Sequence, residues 1–120
     1  MTTYICNGGK RFAVASFNIN TDSFAIISAD YLGAPNPGTT PIIGNYLGAS
    51  IANYIVIDTI LHVAKISSSN VHFAFVTNNT VRQLLYCASG NWSNANNFSF
   101  IATTNNIAIA SLTANNFQFI

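Results

Sequence analysis

The sequence predicts an all-β fold, an antiparallel β-sandwich of jelly-roll or simpler connectivity that ends in a C-terminal meander. Three observations lead there. Short apolar runs recur along the chain, alternating or rich in β-branched residues. Polar breaks rich in Asn separate them at the spacing of about 8 to 12 residues that small sandwiches and barrels show. Residues 50–66, free of Gly and Pro and with apolar residues near helical spacing, are crowded with Ile, Val and Thr, which suit a pleated surface better than a helix.

Taken in order, residues 12–19 alternate around Phe12, Val14 and Phe17, and the polar stretch Asn20, Thr21, Asp22, Ser23 follows. Apolar character resumes over 24–29, so residues 12–29 read as a β-hairpin. Residues 33–45 hold all three prolines and three of the seven glycines. Pro cannot donate to a sheet ladder and Gly supplies turn dihedrals, so no central strand fits there. The segment reads as a long loop, either an interaction arm or a crossover between sheets. Residues 50–66 read as one long strand or two short ones. The last fifty residues predict strands over 71–77, 81–88, 98–103, 107–112 and 117–120, punctuated by the pairs Asn78-Asn79, Asn96-Asn97, Asn105-Asn106 and Asn115-Asn116. Asn tolerates left-handed dihedrals and closes turns on its own backbone. At 120 residues, the whole chain is expected to be one domain, 1–120.

Charge is the unusual feature. Half of the residues are hydrophobic, but only 6% are charged, where soluble domains average about 25%. The cations are Lys10, Arg11, Lys65 and Arg82, the carboxylates are Asp22, Asp30 and Asp58, and there is no Glu. A net charge of +1 provides little self-repulsion. Asn, Thr and Ser supply polarity at a lower desolvation cost than ions. The expected partner is therefore a second copy of the chain, with a trimer favoured. No basic patch of the kind that phosphate backbones require is visible, since Lys10 and Arg11 are adjacent but isolated, so nucleic acid is not an expected partner. Nor is a membrane: the longest apolar span, 46–64, contains Asn53, Asp58 and His62. The first residues carry no secretion signal.

Catalytic and metal chemistry find little material. Cys6, Cys87, His62 and His72 are the atom types of a zinc site, but they are scattered singly where structural sites bring close pairs. Two buried free thiols, or a Cys6–Cys87 disulfide in an oxidising compartment, are the remaining readings. Asp58 and His62, four residues apart, are the one candidate proton-transfer couple, set against a structural hydrogen bond. Gly8-Gly9-Lys10 lacks the frame of a phosphate-binding loop. No cofactor and no enzymatic activity are expected.

Two functional expectations follow. The first is a structural subunit that self-associates through uncharged β-rich surfaces. Its contact candidates lie in the 2–6 arm (Tyr4, Ile5), the 33–45 loop (Pro35, Pro37, Pro41, Ile42, Ile43) and the 117–120 strand (Phe117, Phe119, Ile120). In composition and architecture the chain resembles the small charge-poor β-sandwich subunits of virus and phage particles, such as capsid decoration proteins and fibre modules. That resemblance implies a place on a virion or extracellular particle surface and a larger capsid or fibre protein as a further partner. The second expectation is a lectin-like module in which Trp92 stacks on a sugar ring while Asn91 and Asn94 supply hydrogen bonds, set against the reading of Trp92 as a core plug or interface anchor, which large aromatics more often are.

Overall fold

A computed structural model describes all residues from 1 to 120. In chain order its elements are β1 (Thr3–Cys6), β2 (Phe12–Val14), β3 (Ser23–Ile26), β4 (Ile42–Gly44), β5 (Tyr54–Thr59), the single-turn helix α1 (Ile60–Val63), β6 (Phe73–Asn78), β7 (Val81–Cys87), β8 (Phe98–Thr104) and β9 (Phe117–Phe119). Short 3-10 turns fill several of the connections. The fold is β-rich, with two sheets and one short helix.

One sheet has three strands in the order β1-β3-β9, and the other has six in the order β2-β8-β7-β6-β5-β4. The antiparallel expectation holds only for the meander β6-β7-β8. Every pairing in the three-stranded sheet is parallel, as are β2 with β8, β4 with β5 and β5 with β6. The hairpin expected over residues 12–29 does not form, because β2 and β3 lie in different sheets. A turn does form before β3, with the Asp22 N–H on the Asn18 carbonyl at 2.8 Å and its carboxylate accepting N–H bonds from Thr2 and Asn18, but it carries the chain across to pair beside β1. Residues 107–112 form no strand and turn through a 3-10 segment at Ile109–Ser111. Residues 50–66 resolve into β5 followed by α1.

Alternation explains where the core lies. Along β5 and β6, Ile55, Phe73 and Phe75 point toward the three-stranded sheet, while Tyr54, Val56, Ala74 and Val76 point the other way. The inner cluster joins both sheets through Phe24, which is fully buried. Its ring stacks on Phe17 at 4.8 Å, with Phe75 at 6.0 Å and Phe117 at 6.1 Å. On the outer face of the six-stranded sheet, Val63, Ile66, Val71 and Trp92 form a second cluster. The middle strands are thus covered on both sides, which accounts for their continuous apolar runs.

Candidate functional site

The sequence from Tyr31 through Ile57 contains no charged residue. Within it, β4 forms the outer edge of the six-stranded sheet and β5 begins as the strand beside it. Pro41 cannot donate to a ladder, so the strand that follows it, β4, takes an edge position, paired only with β5. Asn53 fastens the start of this edge: its carbonyl accepts the Ile42 N–H at 3.0 Å, and its side chain donates to the Thr40 carbonyl at 3.0 Å. Beyond Gly44, the Asn45 side chain accepts the Leu47 N–H at 3.0 Å and starts a 3-10 turn, Tyr46–Gly48. The Tyr54 hydroxyl donates to the Asn45 carbonyl at 2.7 Å and pins that turn from below. The outcome is an ordered, uncharged ledge from which Leu47 stands 77% exposed, Ile42 46% and Ile51 44%.

Asp58 and His62 meet at the end of this ledge. Asp58 Oδ1 lies 2.7 Å from His62 Nδ1 and also accepts the Thr59 N–H at 2.7 Å, while Oδ2 accepts the Tyr46 N–H at 3.1 Å. Burial works to raise the Asp58 pKa, but the two N–H groups and the imidazole outweigh it and hold the carboxyl below its ordinary 3.8. Thr59 caps α1 by accepting the His62 N–H at 3.3 Å, and the His62 ring sits 4.8 Å from that of Tyr46. Tyr46, Leu47, Ile57, Asp58, His62 and Ile109 line a cleft of about 510 Å³. Asp58 is the only side chain bonded to the His62 ring, and no hydroxyl or thiol hydrogen-bonds to it. The couple's evident work is to clamp three elements, the 46–48 turn, the end of β5 and the start of α1.

The other residues singled out from sequence fall into two groups. Ile5 and Ile120 are exposed, at 48% and 42%, and Pro37 is exposed. Tyr4, Pro35 and Ile43 are half-buried, and Pro41 is buried at the entry to β4. Phe117 and Phe119 are corrected: at 3% and 2% exposure they belong to the inner core and present nothing to a neighbour. Of the two readings of Trp92, the core plug holds and the sugar platform is corrected. Trp92 is fully buried, its Nε1 donates to the Val71 carbonyl at 3.0 Å, and its ring packs 5.4 Å from Phe98, so no face is open to a sugar. Asn91 Oδ1 accepts from the backbone and hydroxyl of Ser93, and Asn94 Oδ1 accepts the Asn96 N–H. Those amide oxygens close turns.

Cys6 and Cys87 are both buried free thiols, one in each core cluster and therefore on opposite faces of the six-stranded sheet. Burial pushes the Cys6 thiol up to about 12. The His72 ring nitrogen Nδ1 bonds the Cys87 carbonyl at 2.9 Å, and no three His, Cys or carboxylate groups converge to hold a metal ion. No helix is long and apolar enough to cross a membrane.

Sequence reasoning missed Leu47, Ile51 and Leu61, the last 77% exposed on α1. The available signal was the uncharged span itself, which brings apolar residues to a turn marked by Asn45 and Gly48. Comparison with family models, curated proteins and solved structures finds no match to this chain.

Proposed function

We propose that the protein is a structural subunit, a β-sandwich module that associates with copies of itself through the uncharged ledge of β4 and the adjoining 3-10 turn. The observation that carries this reading is the exposure of Ile42, Leu47 and Ile51, three of the nine large apolar side chains open to solvent, in a stretch without a charged residue from Tyr31 to Ile57, with a fourth, Leu61, exposed on α1 just beyond it. The opposite edge of the same sheet differs. There β2 begins directly after Lys10 and Arg11, and charges flanking an edge strand deter pairing with a neighbour. No charged residue flanks β4 in sequence, and the nearest charges lie past the 46–48 turn, where Asp58 accepts the Tyr46 N–H and the Lys65 ammonium sits 5.8 Å from the centre of the Tyr46 ring.

Internal bonding thins the surface charge further. Asp22 accepts bonds from Thr2, Asn18 and Thr21, Asp30 accepts one from Gly8, and Asp58 is held as described. Arg82 donates to the Ile107 and Asn79 carbonyls. Because β4 is only three residues long, apolar side-chain contact rather than an extended ladder would carry the association, and a stable interface buries about 800 Å² per partner. The trimer expected from the sequence, and a place in a virus or phage particle beside a larger capsid or fibre protein, are settings in which such a module would serve.

The test is light scattering coupled to size exclusion across a concentration series. The expected mass is a multiple of 12.9 kDa, falling to the monomer in a Leu47→Lys, Leu61→Lys variant. Both sites are exposed, so the fold is retained. A wild-type chain that stays monomeric to its solubility limit overturns the reading.

A further inference from the structure

A second cleft, of about 410 Å³, lies at the guarded end of the six-stranded sheet, and Lys10, Arg11, Asp30, Tyr86, Ser99 and Phe100 are among the residues that line it. It gathers two of the chain's four cations and one of its three carboxylates. In a protein this poor in charge, that concentration requires a reason, and for the two cations internal hydrogen bonding does not provide one. No carboxylate pairs with either cation, since the single ion pair in the structure is His62 with Asp58.

The backbone is built to present these groups. A Cβ on Gly8 would fall 2.9 Å from the Asp30 carbonyl oxygen, so only glycine lets the chain come close enough for its N–H to reach Asp30 Oδ2 at 3.0 Å. Gly9 follows at φ +85°, in the left-handed region that favours glycine. The turn closes with the Lys10 N–H on the Asn7 carbonyl at 3.4 Å. Arg11 then places its guanidinium 5.1 Å from the centre of the Phe100 ring. A guanidinium resting on an aromatic face has less freedom to lose on binding and offers its planar donor fork preformed. On the inner face of the sheet, the Tyr86 ring is fixed by Tyr31 edge-on at 4.9 Å and by its hydroxyl on the Leu32 carbonyl at 2.7 Å.

We propose that this cleft binds an acidic sugar, with the carboxylate on Arg11 and Lys10 and the hydroxyls on Asp30 and Ser99. Two cations against one carboxylate leave one net positive charge, which matches a monoanion and disfavours a dianion such as phosphate. Asp30 Oδ1 and the Ser99 hydroxyl have no protein partner, and both can serve sugar hydroxyls. The Arg fork fits a planar carboxylate with two parallel bonds. The volume falls within the range of about 300 to 1,000 Å³ typical of small-ligand sites. The site is separate from Trp92, which is buried and does not line the cleft, and it stands independently of self-association.

Glucuronate titrated into the ¹⁵N-labelled protein tests this by amide shifts, with glucose and inorganic phosphate as comparisons. Glucuronate is expected to move Gly8, Gly9, Ser99 and Phe100, and to bind at least about tenfold more tightly than either comparison ligand. Arg11→Ala and Arg11→Lys are both expected to weaken it by about tenfold or more, the second because charge without the planar fork does not suffice. Both substitutions fall on an exposed side chain, and the unperturbed remainder of the amide spectrum verifies the fold. The proposal is overturned by glucuronate leaving these amides unmoved, by glucose or phosphate binding as well, or by an affinity unchanged in Arg11→Ala.

Discussion

Asn116 joins two parts of the chain that are distant in sequence: its side-chain Nδ2 donates to the Ile19 carbonyl at 2.7 Å and to the Asp22 carbonyl at 2.8 Å. Its Oδ1 accepts the Thr113 N–H at 2.9 Å and completes a capping box on the turn before β9. With 2% of its surface exposed, the residue ties the entry of β9 to the entry of β3, its parallel neighbour. Asn116→Ala leaves buried carbonyls without donors, so a loss of about 2 to 4 kcal/mol is expected from denaturant unfolding. Asn116→Asp should be no better, because it exchanges the donor for a charge facing two carbonyls. A stability change within about 0.5 kcal/mol for Ala would show that the tie carries little.

That tie marks the boundary of what could be read from the sequence. The meander β6-β7-β8 was legible because local chemistry closes it: Asn79 takes φ +55° between β6 and β7, and both strands have the expected apolar pattern. The parallel pairings were not legible. Phe24 opposite Phe117, or Phe12 opposite Ala102, depends on crossings of some ninety residues that no local pattern encodes. The same limit left Trp92 open between a core plug and a sugar platform. Its Asn- and Ser-rich flanks look like a solvated loop, and they are exposed, but the loop folds over the outer sheet face with the indole pointing inward. The Asp58–His62 couple was legible from its spacing, whereas its bond to the Tyr46 backbone, which decides its role, was not.

The chain's single tryptophan should behave as a core residue. Trp92→Ala is expected to cost about 3 to 5 kcal/mol. Trp92→Phe keeps most of the apolar volume but leaves the Val71 carbonyl without its donor, for about 1 to 3 kcal/mol. In the wild type, aqueous quenchers should reach the indole only after unfolding, and its fluorescence should not respond to added sugars. Ready quenching in the native state would contradict the burial.

Acid should destabilise the fold through Asp22 and Asp58. The Asn18 N–H above all, with those of Thr2 and the Thr21 hydroxyl, holds the Asp22 carboxyl below its ordinary 3.8, and Asp58 is likewise lowered. A carboxyl depressed in the folded state contributes stability that is fully present above its unfolded pKa. The contribution is lost as pH falls through the folded value. Unfolding free energy is therefore expected to be flat from about pH 5 to about pH 9 and to fall below about pH 4. Asp58→Asn should lower the plateau and flatten the acid limb, because the amide no longer titrates. An acid limb of unchanged slope in that variant would assign the loss to other groups.

The alkaline limb has the opposite sign and a different origin. Cys6 is fully buried, and desolvation raises its thiol from 9.0 to about 12. A thiol held neutral in this way stabilises the fold fully below its unfolded pKa of 9.0, and that contribution is lost as pH rises toward 12. Stability should thus decline above about pH 9, by about 1.4 kcal/mol for each unit of pH while Cys6 alone titrates. Tyr31, raised to about 12 chiefly by burial, adds to the decline above 10. Cys6→Ala should lower overall stability yet delay the onset of the decline toward the tyrosine range. The same burial predicts that a thiol reagent labels neither Cys6 nor Cys87 at neutral pH until denaturant is added. Rapid labelling of the native protein would mean that the inner cluster opens to solvent around β1.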